Sequence, residues 1–119
     1  MNIGVTGKNG ETRVASFLRK SGYTIIKRNY QCRFGEIDII AEKDEFIVFV
    51  EVKTRKKDSM VSPLESVDTF KQQRIIRTAE DYIVKTLCEL QPRFDVAEVY
   101  VEDNGEKIKY SLNYIANAF

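Results

Sequence analysis

Hydrophobic positions along the chain follow two periodicities, and the first indicates two amphipathic helices. Between Gly10 and Ser21, apolar residues recur every three or four positions, and Gly22 suits the left-handed residue that ends a helix. A longer pattern of the same spacing runs from Val67 to Leu87. The two segments therefore predict a short helix near the start of the chain and a long helix in its second half.

The start of the long helix can be placed at two positions. Ser62, Pro63 and Glu65 have the residue types of the N-cap, N1 and N3 positions. Asp68 offers a second N-cap, with a break in the helical pattern just there. The charged segment Thr54–Ser62 precedes both positions and is predicted to be a surface loop.

The second periodicity, with β-branched and aromatic residues, indicates five strands. Tight turns are predicted near Lys43-Asp44 and at Asp103-Asn104-Gly105. The predicted strands are Thr24–Gln31, Glu36–Ala41, Phe46–Thr54, Phe94–Val101 and Lys107–Ile115. The order α-β-β-β-α-β-β predicts an α/β fold, and the length suits one domain over residues 1–119.

The predicted strand Phe46–Thr54 changes from apolar to charged along one of its faces. Alternate residues of a strand share a face, so Ile47 and Phe49 are followed on the same side by Glu51 and Lys53. Such a charged end of a buried strand is either a sheet rim or a functional site.

The neighbouring strand brings a second carboxylate to that face. A two-residue turn at Lys43-Asp44 places Asp38 opposite Phe49 and diagonal to Glu51, about 7 Å away. A slip of one residue would move Asp38 to the other face of the sheet. The predicted site therefore depends on the register of this hairpin.

Two carboxylates at this spacing can share one divalent cation. Mg²⁺ prefers oxygen ligands and takes one or two carboxylates together with waters and phosphate oxygens. Asp38 and Glu51 would supply the carboxylates, and the carbonyl of Val52 could be a further ligand. Lys53 would hold or deprotonate the attacking water. These residues predict a metal-dependent phosphodiesterase.

Other polar residues could join this site from the two helices and the loop. Glu11 lies at the edge of the core-facing side of the first helix, within reach of the same metal or of a second one. Gln72 lies in the polar first part of the long helix. The candidate contacts to nucleic-acid phosphates are Arg55, Lys56, Lys57, Lys71 and Arg74. Each also has a simpler explanation as an exposed helix or loop residue, or as a carboxylate near a helix start.

Composition restricts the chemistry further. The 119 residues include no histidine, which excludes Ser-His-Asp and Cys-His catalysis and His-ligated zinc. Cys32 and Cys88 form no CxxC pair, so we predict neither a zinc site nor a disulfide framework. A net charge of +1 gives no global signal for nucleic acid, so such a partner must be inferred from local clusters.

No apolar run is long enough to cross a bilayer, since the longest is Phe46–Val50. The first residues lack the basic and apolar regions of a signal peptide. We therefore expect no membrane partner and a cytoplasmic location.

With these residues in view, the sequence resembles the PD-(D/E)xK nuclease superfamily, whose motif is matched by Asp38 and Glu51-Val52-Lys53. More narrowly, it resembles the YraN family of bacterial predicted endonucleases, which are related in fold to Holliday-junction resolvases. The matching stretches are Gly10-Glu11 with Ala15 and Leu18, Arg28-Asn29-Tyr30, Gly35 to Ala41, Phe49 to Arg55, Arg93 to Val96, and Asn117-Ala118-Phe119.

The resemblance implies a restriction-endonuclease-like fold with a central mixed sheet between helices. It also implies dependence on Mg²⁺, for which Mn²⁺ can substitute, and a nucleic-acid substrate, DNA more than RNA. Branched DNA is a weaker expectation, by analogy with the resolvases. The site residues that it implies are Glu11, Asp38, Glu51, Lys53 and Gln72. A homodimer is left open.

Three hypotheses of different class remain. The first is an Mg²⁺-dependent endonuclease, and the second a nuclease fold that binds nucleic acid or a DNA-repair protein with little turnover. The third is a protein-interaction module whose acidic face is merely solvated. The combination of Asp38, Glu51 and Lys53 favours the first, because a protein that only binds has no need of all three.

Overall fold

Helices and strands follow one another in the order that the sequence predicts, α-β-β-β-α-β-β. A computed structural model describes residues 3–57 and 67–119, with side chains from residue 9 onward. The helices are α1 (Ile3–Lys20) and α2 (Thr69–Thr86). The strands are β1 (Thr24–Cys32), β2 (Gly35–Lys43), β3 (Phe46–Lys56), β4 (Gln91–Asp103) and β5 (Ile108–Ile115).

The five strands form one mixed sheet in the order β1-β2-β3-β4-β5. β3 and β4 run parallel, whereas every other neighbouring pair is antiparallel. The parallel pair requires a crossover, which contains α2. This arrangement confirms the α/β class and the restriction-endonuclease-like order of elements.

β3 is buried on both faces, because one helix packs on each side of the sheet. Val48 and Val50 belong to a core cluster with Leu18 of α1. Ile47 and Phe49 belong to the opposite cluster, which contains Ile75, Ala79 and Tyr82 of α2. A strand covered on both faces has an unbroken apolar run instead of alternation. The run from 47 to 50 is at most 1% exposed.

The C-terminal end of α1 and the N-terminal end of α2 lie where capping residues in the sequence predict them. Tyr23 N–H donates to the Leu18 carbonyl and Gly22 has φ of 91°, as predicted for the end of α1. Asp68 caps α2, since its carboxylate accepts from the Lys71 N–H at 2.8 Å. The second of the two predicted N-caps is therefore confirmed. The first, at residues 62–65, lies outside the described residues.

Several element boundaries differ from prediction. α1 begins at Ile3 instead of Gly10, and β4 begins at Gln91 instead of Phe94. β3 continues to Lys56, so residues 54–56 are strand and not loop. The cause for both strands is their parallel pairing, which runs from Phe46 with Gln91 to Lys56 with Val101. The rest of the predicted loop, beyond residue 57, lies outside the described residues.

The predicted register of the β2–β3 hairpin was wrong by two residues. The turn is at Asp44-Glu45, with Asp44 in the left-handed region (φ 54°), and Phe49 pairs with Ile40 and not with Asp38. A shift of two residues preserves which side chains share a face. It brings Asp38 level with Glu51, where the predicted register had placed it diagonally.

A second polar cluster holds the end of the chain against the start of β4. The buried Asp95 carboxylate accepts from Arg93 at 2.7 Å, from the Asn117 N–H at 2.8 Å and from the Tyr114 hydroxyl. Phe119 stacks on Phe94 with ring centroids 5.3 Å apart. Two of the stretches that carry the family resemblance, 93–96 and 117–119, thus contact each other.

Gly10 allows α1 to lie close to the sheet. A Cβ atom at this position would lie 2.5 Å from Thr54 Oγ1 and 3.7 Å from Val99 Cγ2. The Thr54 hydroxyl is the end of a short branched side chain with little freedom to move away. The close approach matters because the next residue, Glu11, faces the site described below.

We predict that Gly10→Ala lowers the free energy of unfolding by about 1 kcal/mol. Overpacking costs about 1–3 kcal/mol, and the better helix propensity of alanine offsets about 1 kcal/mol. In a Thr54→Ala background the same change should become neutral or stabilising, because the clashing oxygen is gone. Urea unfolding followed by circular dichroism measures both. Equal effects in the two backgrounds would contradict the assigned contact.

Candidate active site

Asp38 is fixed at the point where the β2–β3 pairing stops. The ladder reaches the pair Ile39 and Val50. One residue beyond this pair on β2, Asp38 Oδ2 accepts a hydrogen bond of 2.7 Å from the backbone N–H of Val52, two residues beyond it on β3. A side chain thus takes the place of a ladder bond and holds the Asp38 carboxylate against the charged half of β3. Asp38 lies close enough to Glu51 for the two charges to interact, and Lys53 in turn contacts Glu51.

The electrostatics of Asp38 reveal an excess of negative charge around it. Burial, followed by the charge of Glu51, raises the pKa of the Asp38 carboxyl to about 7. The carboxylates of Glu11 and Glu36 raise that pKa further, whereas the Val52 hydrogen bond opposes the rise. The region therefore favours the binding of a cation or a proton.

Glu51 lies between two lysines at the end of the buried part of β3. Its Oε1 is 2.9 Å from Lys71 Nζ and 3.3 Å from Lys53 Nζ, and the residue is 8% exposed. Lys53 comes from the same strand, two residues on, and Lys71 from the first turn of α2. The sequence suggested Lys71 as a phosphate contact, but the structure places its ammonium directly on the candidate metal ligand.

The two lysines differ in their affinity for protons. Burial lowers the pKa of Lys53, and its hydrogen bond with Lys71 lowers it further, against the attraction of Glu51. Burial also lowers the pKa of Lys71, but hydrogen bonds with Lys53 and Glu51 outweigh it, so that the net pKa is raised. Lys53 is thus the amine of this pair that more readily gives up its proton, and its neutral form is then available to act as a base.

Glu11 forms a second cluster beside the first. Its Oε1 is 3.9 Å from an Arg28 guanidinium nitrogen and 3.1 Å from the Asn29 amide, whose nitrogen is assigned to face it. The same amide lies 3.2 Å from Glu36 Oε1. Burial is the main cause of the raised pKa of Glu11, and the charge of Glu51 contributes to it. Glu11 is thus near the Asp38–Glu51 pair, yet engaged by other partners.

Sequence reasoning did not include Arg28, Asn29 or Glu36 among the site residues. Asn29 adopts a left-handed conformation inside β1 (φ 55°), which asparagine tolerates better than most residues. Arg28 then lies near Glu11 of α1, while Tyr30 packs on Tyr82 of α2. Residues two apart in a strand normally share a face, so strand alternation does not predict that Arg28 and Tyr30 lie on opposite faces of the sheet. The only signal was that 28–30 is one of the family-like stretches.

The two carboxylates of Asp38 and Glu51 have the chemistry to hold a divalent cation. Within residues 3–57 and 67–119, no three Asp, Glu, Cys or His side chains converge closely enough to surround an ion. Glu11 does not converge with Asp38 and Glu51 in this arrangement, and its role as a ligand of the same metal or of a second one stays a prediction. The described contacts use Oδ2 of Asp38 and Oε1 of Glu51, which leaves Oδ1 and Oε2 for a cation. One or two carboxylates suffice for Mg²⁺, with water and phosphate as its other ligands.

Gln72 and Arg74 contact backbone carbonyls at the edges of the site. The Gln72 side-chain nitrogen donates to the carbonyl of Val67 at 2.9 Å, so it braces the entry to α2. Arg74 Nε donates to the carbonyl of Phe34 at 3.4 Å and lines a cleft between α2 and the β1–β2 turn. Of the two, Arg74 alone is placed where a bound polymer could contact it in this arrangement.

The predicted basic cluster at 55–57 is divided by the strand. Arg55 Nε lies 3.5 Å from the buried Glu98, and Lys57 pairs with Glu102 at 3.1 Å on the surface. Lys56 is exposed. The cluster is therefore not one continuous phosphate-binding patch, because β3 extends through it and neighbouring residues face opposite sides.

Glu98 is a buried charge that sequence reasoning missed. It is 0% exposed, and neither of its oxygens has a hydrogen-bond partner in the described part of the chain. Burial raises the pKa of its carboxyl, against the opposing charge of Arg55. In the parallel register Glu98 lies beside Lys53. An acidic residue within the apolar run Val96–Val101 was the available signal.

A family comparison gives a consistent assignment. Residues 10–99 match the model of "Uncharacterised protein family UPF0102", which is the YraN family. The chain belongs to this family. A UPF0102 protein of Caldanaerobacter subterraneus is 45% identical, covering all of this chain and 98% of its own length. One from Clostridium perfringens is 48% identical over 95% of this chain and 92% of its own. One from Caldicellulosiruptor bescii is 44% identical, with full coverage of both.

The matched region of this UPF0102 chain includes Glu11, Asp38, Glu51 and Lys53, and extends past Glu98. Among the described residues, neither helix has the length and apolar character needed to cross a membrane.

We predict that Asp38→Asn stabilises the metal-free protein above pH 7. The folded-state pKa of about 7 exceeds the ordinary value of 3.8, so deprotonation of Asp38 costs stability as the pH rises through this interval. Asparagine keeps an oxygen to accept from Val52 and carries no charge. At about 1.4 kcal/mol per pKa unit, the gain at pH 8 should be on the order of 2–4 kcal/mol, and near zero at pH 3.5.

Thermal unfolding in EDTA at the two pH values measures this difference. Glu80→Gln, an exposed carboxylate on α2, serves as the control and should show no comparable gain. An Asp38→Asn variant that is no more stable than the parent at pH 8 would mean that Asp38 is not in the electronegative environment described.

Proposed function

We propose that this UPF0102 protein is a divalent-metal-dependent endonuclease that hydrolyses nucleic-acid phosphodiester bonds, with DNA as the favoured substrate. The observation that carries the proposal is the meeting of Asp38, Glu51 and Lys53 at the open end of the β2–β3 ladder, with Lys71 of α2 beside them. A structural role would not require two neighbouring carboxylates at a place where burial, and then the charge of Glu51, raise the pKa of Asp38.

Each residue has a defined task in the proposed reaction. Asp38, Glu51 and the Val52 carbonyl would hold Mg²⁺, or Mn²⁺ in its place, with Glu11 as a further candidate ligand nearby. When bound, the ion would polarise the phosphate and acidify a water ligand. Lys53 would accept a proton from the attacking water, because burial and Lys71 lower its pKa.

Lys71 would balance the charge that develops on the phosphate oxygens. Its ammonium lies 2.9 Å from Glu51 Oε1, and its raised pKa keeps it protonated. The oxygen of water would bond to phosphorus as the bond from phosphorus to the leaving alcohol oxygen breaks. The N-terminus of α2, where Lys71 lies, adds a partial positive charge in the same region.

A second candidate is a nucleic-acid-binding protein of the same fold with little turnover. One observation favours it: both lysines already contact Glu51 Oε1 and neutralise part of the charge that a cation would need. In this candidate the lysines contact phosphates, and the carboxylates only orient the lysines. The two candidates predict different dependence on metal ions.

We predict that the purified chain cuts labelled DNA in Mg²⁺ or Mn²⁺ and not in EDTA. Duplex, single-stranded, flapped and four-way substrates, with RNA of the same sequences, should be compared. Glu51→Gln and Lys53→Met should each reduce the rate by about 100-fold or more, the usual effect of removing an electrostatic or acid–base group. Single-turnover cleavage rates measure this effect.

Matched controls are Glu80→Gln and Lys109→Met, which change the same residue types at exposed positions away from the site. They should leave the rate within about twofold of the parent. Titration of Mn²⁺ by calorimetry gives a second readout, since Glu51→Gln should weaken binding. Binding of nucleic acid without cutting in any metal would support the second candidate. Cutting that survives both site variants would overturn the assignment of these residues.

A further inference from the structure

A groove leads away from the candidate active site between α2 and the β1–β2 turn. It consists of two adjoining clefts, of about 440 and 360 Å³, each within the range of small-ligand sites. The first contains Lys71 and Glu36, which belong to the site and its border. Phe70 and Arg74 line both clefts, so the groove is continuous from the site outward.

The outer cleft has the chemistry of a surface for single-stranded nucleic acid. Its lining is three arginines, two phenylalanines and one glutamine, with no acidic residue: Arg33, Phe34, Phe70, Gln73, Arg74 and Arg77. Phe70 is 70% exposed, so its ring is accessible to a ligand in the cleft. Guanidinium groups bind phosphates, and exposed rings stack on bases.

The wall of this groove opposite α2 is held in place by close contacts. Gly35 has φ of 153°, and a Cβ atom there would lie 3.2 Å from Thr78 Oγ1 on α2. The Arg74 side chain donates to the Phe34 carbonyl, and the Arg33 guanidinium lies 4.7 Å from the Phe34 ring centroid. A ligand would therefore enter a groove that is already shaped.

We propose that this groove binds two to three unpaired nucleotides next to the phosphodiester at Glu51 and Lys53, with a base stacked on Phe70 and phosphates on Arg33, Arg74 and Arg77. The six helical steps from Lys71 to Arg77 rise about 9 Å. That is the length of two to three stacked nucleotides at about 3.4 Å each. The bases must be unpaired, because a ring can stack on a base only where no neighbouring base pair covers it.

This inference rests on the proposed function for its cutting step, but its binding step is independent. It deepens that function by naming the substrate class as nucleic acid with a single-stranded segment beside the cleavage point, such as a flap, a loop or an end. The small net charge of +1 is compatible with it, because the outer cleft is lined by three arginines and no acidic residue. The sugar is not specified by stacking and phosphate contacts, so DNA and RNA are separate arms of the test.

Fluorescence anisotropy in EDTA, where no cutting occurs, tests the groove. The probes are a 12-nucleotide single-stranded DNA, the RNA of the same sequence and a 12-base-pair DNA duplex. Phe70→Ala should weaken single-strand binding by about 5- to 100-fold, and should change duplex binding by less than about twofold. Phe70→Trp should restore it. The matched control is Val84→Ala, which removes an equally exposed apolar side chain (71%) from the same helix.

The contribution of the arginines is measured separately, by the salt dependence of single-strand binding. Arg77→Ala should reduce the salt dependence of single-strand binding, with the slope of log affinity against log salt falling by about 0.7. Lys85→Ala, at the other end of α2, should leave the slope unchanged. Thermal unfolding of each variant should match the parent, because these side chains are exposed.

Each outcome decides between the groove and the nuclease proposal. Selective loss of single-strand binding in Phe70→Ala, together with no cutting by the parent, supports the groove and overturns the nuclease. Cutting that needs Glu51 but is unaffected by Phe70→Ala on flapped DNA overturns the groove and keeps the nuclease. Equal binding of a poly-glutamate peptide of the same length, lost in the same variants, would replace nucleic acid with an acidic protein as the partner.

Discussion

Burial of β3 between the two helices is the constraint on which the rest of this structure depends. Its first half packs against α1 on one face and α2 on the other, so residues 47–50 are almost completely shielded from water. Its parallel partner β4 requires α2 as a crossover, and that crossover carries Lys71 to Glu51. The charged half of β3 therefore leaves the core at a point where both flanking helices are already in place.

The site is built where regular pairing ends. The Asp38 carboxylate replaces a backbone acceptor for the Val52 N–H, so a structural hydrogen bond and a chemical group share one side chain. The free-energy cost of ionising Asp38 at this place is reflected in its raised pKa, because the carboxyl is buried and lies close to three other carboxylates. Carboxylates in such an environment lower the stability of the metal-free protein, and a bound cation would offset that loss of stability. This pattern distinguishes Asp38 from Asp95, whose buried carboxylate accepts hydrogen bonds from Arg93, Tyr114 and the Asn117 N–H.

Two polar clusters of the molecule have different roles. Asp95 with Arg93 and Tyr114 fastens the final residues against β4, and the Phe94–Phe119 stack adds to that attachment. The other cluster contains the carboxylates and lysines of the candidate site, from which the groove lined by Phe70 and Arg74 begins. Family-like stretches occur in both clusters, so resemblance alone does not separate residues that fold the chain from residues proposed to act on a substrate.

The sequence by itself determined the order of elements, the α/β class, the family and the trio Asp38, Glu51 and Lys53, because periodicity and short motifs are local. Only the tertiary structure decided the hairpin register, the length of β3 and the position of Lys71 on Glu51, since each depends on pairing between distant segments. The reversal of facing at Asn29, which gives Glu11 its partners, depends on one backbone dihedral that no pattern encodes. The grouping of Asp38, Glu51 and Lys53 on one face did not depend on the exact register, because an error of two residues leaves every side chain on the same face of the sheet.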